Sequence, residues 1–167
     1  MTLVTLVGAG ATALALGSAG AAAPTRACTG SNLSGSFSEI PGSAAAGHIS
    51  YRLTVKNKTA HKCFVKGLPK VRLLDRHGHS LPSHVAAAGG AGHKIVIAPG
   101  HTAIADARFS PDVPGTGDHQ TGKCQPTAFR ARISPRPGGG KTVVPVSPHT
   151  SVCEKGTMQF RPFKHGT

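Results

Sequence analysis

Three groups of side chains in this sequence have types and spacings that could do chemistry. They are four cysteines, ten histidines and an excess of Lys and Arg over acids. Cys28, Cys63, Cys124 and Cys153 contain no Cys-x-x-Cys pair, which argues against a thioredoxin-like redox site or a zinc ribbon. An even count in a chain that reads as exported predicts two disulfides, with three pairings open. Closing loops of such length contributes about 3–4 kcal/mol each in the chain-entropy model.

The histidines concentrate at Arg76-His77-Gly78-His79, with His84 shortly after and His61 close to Cys63. Zinc and copper take imidazole ligands but need three or four converging on one point. A His-x-His spacing alone is a weak signal. The expectation is exposed loop histidines and no bound metal or cofactor. His77, His79 and His84 are the set whose convergence would favour a metal site.

The cations are the surface feature with content. Lys and Arg number 19 against 6 Asp and Glu, a formal net charge of +13. Arg52, Lys56, Arg108, Arg130 and Arg132 fall on the outward phase of predicted strands and form the expected anion-binding set. Lys58, Lys62, Lys66, Lys70 and Arg72 cluster in sequence between the second and fourth predicted strands, and Arg161 and Lys164 lie in the tail. A field of this sign attracts polyanions. The partners it predicts are an anionic cell-wall polymer or a membrane surface. With six Phe, one Tyr and no Trp, stacking platforms for single-stranded nucleic acid are lacking, and no specific nucleic acid is expected. The competing reading is that net charge only keeps the protein soluble.

Catalytic motifs fail on inspection. Gly8-Ala9-Gly10-Ala11-Thr12-Ala13 mimics a dinucleotide fingerprint but follows no strand and opens no βαβ unit. Gly138-Gly139-Gly140-Lys141-Thr142 ends like a P-loop, yet the first glycine of that motif would have to stand at residue 135, which is Pro; it reads as a flexible loop. No Gly-x-Ser-x-Gly elbow occurs after the first 23 residues. The six acids, Glu39, Asp75, Asp106, Asp112, Asp118 and Glu154, give no paired-carboxylate pattern. The chain is therefore not expected to be an enzyme, and no small-molecule substrate is identified.

The elements that must position these groups are short strands. Residues 1–23 carry no charged side chain, have an apolar centre and end in small residues, as a cleavable secretion signal does. Cleavage is expected after Ala21 or Ala22, and residues 24–167 form one domain. Ile49, Tyr51, Leu53 and Val55 alternate with polar residues in the clearest strand. Cys63-Phe64-Val65, Val71 to Asp75 and Ile95-Val96-Ile97 follow, with Arg76 to His79 as a hairpin tip. Ala86 to Gly92 reads as loop. Ala103, Ala105, Ala107 and Phe109 point inward, as do Phe129, Ala131 and Ile133. Val143 to Val146 reads as an edge strand because Pro145 cannot donate to a ladder. Met158 and Phe160 close the pattern. About eight short strands, with turn signals every eight to twelve residues, predict an all-β sandwich.

This pattern resembles a secreted actinobacterial family, domain of unknown function 4232. The residues that carry the likeness are Cys28, Tyr51 to Asn57 before Cys63, Gly67-Leu68-Pro69-Lys70-Val71-Arg72-Leu73-Leu74-Asp75 with Gly78, Ile97-Ala98-Pro99-Gly100 with Ala103, and then Cys124 and Cys153. The likeness runs from Cys28 to Pro162. It implies an immunoglobulin-like β-sandwich and the pairing Cys28–Cys63 with Cys124–Cys153, and it implies no active site. Phe109 stands where the family usually has an aromatic, often Trp.

The expectation for function is a secreted, monomeric, non-catalytic binding or cell-envelope-associated module. The alternatives are a His-rich metal-binding protein, a secreted protein inhibitor presenting the loop from Pro111 to Lys123, and a hydrolase without a recognisable motif.

Overall fold

The computed structural model describes residues 24–166. The expected secretion signal, residues 1–23, lies outside the described residues. Among the described residues there are twelve strands: β1 Arg26–Ala27, β2 Leu33–Glu39, β3 Ile49–Asn57, β4 Cys63–Lys66, β5 Lys70–Leu74, β6 His84–Ala87, β7 Lys94–Ile97, β8 Thr102–Phe109, β9 Ala128–Ser134, β10 Thr142–Thr150, β11 Thr157–Phe160 and β12 Lys164–His165. The fold is all-β, as expected. Among the described residues no helix is long and apolar enough to cross a membrane.

One large sheet has the order β5-β9-β10-β2-β3-β8-β11-β6, with β12 against β8. It folds over, so that its end strands β5 and β6 approach one another. A small sheet, β1-β4-β7, lies beside it. Alternation explains which side of each strand is buried. Tyr51, Leu53 and Val55 of β3 face Ala103, Ala105 and Ala107 of β8 rung by rung (Leu53 opposite Ala105), and all six are buried. The alanines leave room for an aromatic cluster of Phe37, Tyr51, Phe109 and Phe160. Tyr51 keeps its hydroxyl satisfied by donating to the Pro148 carbonyl at 2.8 Å. The core takes residues from both halves of the folded sheet: Leu73, Ile133 and Val144 on one side, Leu53, Met158 and Phe160 on the other. This is the sandwich the strand pattern predicts.

Three elements differ from expectation. Strand β2 is not among the strands the alternation predicts, since Ser34-Gly35-Ser36 shows no apolar period, yet β2 is central. It pairs antiparallel with β3 over seven rungs and parallel with β10. Gly35 is needed there, because a Cβ at that site would lie 1.9 Å from the Thr54 carbonyl oxygen. Strand β10 is interior, not an edge. Pro145 sits opposite Arg130 in the last regular rung with β9, and the strand then moves to β2 through Val146 and Ser147. The missing Pro donor falls where β10 changes neighbour, one of the places a sheet tolerates it. Ala86 and Ala87 belong to β6, held parallel to β11.

The disulfides are Cys28–Cys63 and Cys124–Cys153, the pairing the resemblance implied. The first ties the chain beside β1 to β4. The second ties the loop before β9 to the turn at Cys153–Gly156. Two disulfides fit an oxidising compartment.

Candidate functional site

The five cations singled out in the sequence do not form one group. Arg52 and Lys56 lie on β3 and Arg108 on β8, while Arg130 and Arg132 lie on β9, with β10 and β2 between β9 and β3. Arg52 is already engaged. Its Nε donates to Asp106 Oδ1 at 2.7 Å and its Nη2 to Oδ2 at 3.2 Å. Lys164 Nζ adds a contact to the same carboxylate at 3.4 Å. The bond to Asp106 raises the Arg52 guanidinium above its ordinary value. Burial pushes the Asp106 carboxyl up, but the bonds and charge of Arg52 and Lys164 outweigh it and hold Asp106 below the usual range. Arg130 is engaged as well: its Nη2 donates to the Arg76 carbonyl at 2.7 Å.

Arg132 stands in different surroundings. It lines a cleft of about 630 Å³ together with Lys70, Arg72, Arg136 and Lys141. Ser80 and Ser134 add hydroxyls, and Leu68, Val71 and Val85 add apolar wall. No Asp or Glu lines it. Among the described residues the ion pairs are Arg52–Asp106, Lys164–Asp106 and His79–Asp75, so none of the five cleft cations is paired.

The local sequence explains how the cations come together. In β5, Val71 and Leu73 turn inward, which sends Lys70 and Arg72 outward. In β9, Ala131 and Ile133 turn inward, which sends Arg132 and Ser134 outward. The antiparallel register sets Lys70 opposite Ser134 and Arg72 opposite Arg132. On the other side of β9, Val143 of β10 stands opposite Arg132. Lys141 enters β10 from the Gly138-Gly139-Gly140 turn. That turn is packed rather than loose: the Gly30 amide donates to the Gly139 carbonyl at 3.0 Å, and a Cβ on Gly138 would lie 2.0 Å from the Cys28 carbonyl oxygen.

Of the anion-binding set expected from sequence, the cleft contains Arg132 alone. Lys70 and Arg72 were grouped only as a run along the chain. Arg136 and Lys141 sit in Pro/Gly-rich connections that read as loop, and Lys141 draws notice there only as the lysine of a failed P-loop match. The strand alternation around Ala131 and Val71 held enough signal to find Arg72 opposite Arg132, had the β5–β9 pairing been known.

The histidine set does not converge. The His77 and His79 rings lie 5.9 Å apart at the β5 hairpin tip, and His79 Nδ1 sits 3.1 Å from Asp75 Oδ2. His84 opens β6 opposite Thr157. Among the described residues, three metal-type ligands gather only at Asp118, Cys124 and Cys153, and those two sulfurs are bonded to each other.

Phe129, expected inward, is half-buried; Ala128 takes the core position at the start of β9. The ladder between β9 and β10 shifts register there, and Phe129 packs on His149 at 4.2 Å. The loop from Pro111 to Lys123 is tied down by Asp118. Its carboxylate accepts from the Gly115 amide at 2.9 Å, the Lys155 amide at 2.9 Å, Gln125 Nε2 at 2.7 Å and the Glu154 amide. Burial alone would raise this carboxyl, but the donors from Gly115, Gln125, Lys155 and Glu154 outweigh it and hold it down to about 2. Glu154, Lys155 and Gly156 are all left-handed, with φ of 52°, 56° and 79°. The two non-glycines cost about 1–3 kcal/mol each, and Asp118 offsets this by accepting both of their amides.

No curated protein and no solved structure matches the chain. The profile described as Domain of unknown function (DUF4232) matches residues 28–164, the span that carries both disulfides and every strand from β2 to β11. The chain belongs to this family of domains of unknown function.

Proposed function

We propose that this protein is a secreted, non-catalytic module that holds an anionic polymer of an actinobacterial cell envelope. The observation that carries the reading is the cleft over β5, β9 and the start of β10, with five cations, no acid and no internal ion pair. Like charges set opposite one another on neighbouring strands destabilise a sheet. Arg72 and Arg132 hold this arrangement without an acidic neighbour, as a site that receives its counter-charge from a ligand would. The cleft is open to the surface and has hydroxyl and apolar walls, which suits a polymer lying along it.

Adsorption to isolated cell walls tests the reading. The protein is expected to bind at low salt and to lose affinity steeply as salt rises, because each cation–phosphate contact releases counterions. Replacing one cleft cation by Gln should lower the slope of log K against log salt by about 1. Lys56→Gln on the β3 face should leave that slope unchanged. Failure to adsorb at low salt, or equal loss from the β3-face variant, overturns the proposal.

A further inference from the structure

We infer that the cleft is built for a linear polyol phosphate, gripped at two successive phosphodiesters; this rests on the function proposed above and names its ligand. Two rungs supply the grip. In the first, Arg72 faces Arg132 across the β5–β9 ladder. Facing residues of an antiparallel pair have Cα atoms about 4.5–5.5 Å apart, so two guanidiniums rise side by side. Each fork can take one non-bridging oxygen of a tetrahedral phosphate from its own side, whereas one planar carboxylate is filled by a single fork. In the second rung, Lys70 faces Ser134. Lys141, one residue before Thr142, continues that rung on the far side of β9, since Thr142 stands opposite Ile133. Two ammonium groups flank a hydroxyl there.

The spacing of the rungs selects the polymer. Residues i and i+2 of a strand are separated by about 6.8 Å, which is six backbone bonds. A phosphodiester chain with three carbons between phosphates also repeats every six bonds. When extended it spans about the same length, because three such bonds cover roughly 3.3–3.6 Å. A polyol phosphate laid along β9 therefore places consecutive phosphates on consecutive rungs. Val143 shares the Arg132 rung from β10 at 49% exposure, an apolar flank beside the first phosphate position. A single-stranded nucleic acid has the same backbone count, but no aromatic side chain lines the cleft to stack its bases.

Binding of purified poly(glycerol phosphate), polyglutamate and oligothymidylate, matched in charge number, tests this in the intact protein. Poly(glycerol phosphate) is expected to bind at least about tenfold more tightly than either of the others. Arg72→Gln and Arg132→Gln should each abolish that preference, while Arg108→Gln keeps it, with thermal denaturation checking that every variant is folded. Equal affinity for the three polymers, with loss in the cleft variants, overturns the polyol-phosphate assignment and leaves the anionic-polymer function standing. Tighter binding of oligothymidylate overturns it in favour of nucleic acid. Binding to none of them at low salt overturns both.

Discussion

Asp118 shows how a single buried carboxylate can hold two loops whose sequences look unconstrained. Its folded pKa lies below the unfolded value of about 3.9. The stability it contributes is therefore fully present above about pH 4 and is lost as pH falls toward 2. Asp118→Asn is expected to lower the urea midpoint at neutral pH and to shrink the gap from wild type as pH drops from 5 to 2. A gap that stays constant over that range would show that the carboxylate's charge does not hold the loop. Arg132 makes the opposite case. Facing Arg72 without an acid in the cleft, it costs the fold something. Arg132→Gln should leave the midpoint unchanged or raise it slightly, while weakening polyanion binding. A clear fall in stability would mean that Arg132 has a structural partner and is not held for a ligand.

At the scale of elements, the informative strand is β2. Its Ser and Gly run looks like linker, and its burial pattern is carried by Leu33 and Phe37 alone. Two substitutions separate its roles. Phe37→Ala removes the ring that contacts Tyr51, Phe109 and Phe160 and should cost about 3–5 kcal/mol. Gly35→Val places side-chain atoms against the Thr54 carbonyl and should cost roughly 1–3 kcal/mol by forcing β2 from β3. Both are read as shifts of the denaturation midpoint. A neutral Gly35→Val would mean that β2 and β3 can part locally without loss. Element pairing also decides the cleft. Lys70 and Arg72 are neighbours of Arg132 and Lys141 only because β5 and β10 flank β9, although some sixty residues separate Arg72 from Arg132 in the chain.

For the whole molecule, aromatic residues are scarce and four of them make one cluster, so the disulfides carry much of the remaining constraint. Cys28–Cys63 spans 35 residues and Cys124–Cys153 spans 29. Each should contribute about 3–4 kcal/mol. Reducing both is expected to lower the urea midpoint steeply and to release the Pro111–Lys123 loop first, since that loop is otherwise held by Asp118 and its few donors. Hydrogen exchange on the reduced protein reads this order; uniform loss of protection would show one cooperative unit instead.

The sequence by itself determined the class of fold, the compartment it suits and the sign of the surface. Strand alternation at Ile49–Val55 and Ala103–Phe109 follows from a period of two, which needs no partner to be seen. Cysteine parity and the count of Lys and Arg are likewise properties of composition. The tertiary structure decided which cations share a cleft, why β10 is interior despite Pro145, and why β2 is a strand at all. These depend on which strand lies beside which and in what register. Both are set by contacts between residues far apart in the chain, and a local pattern carries no record of them. For the same reason Arg52, outward and basic like Arg132, is bound to Asp106 while Arg132 faces Arg72 with no acid beside it.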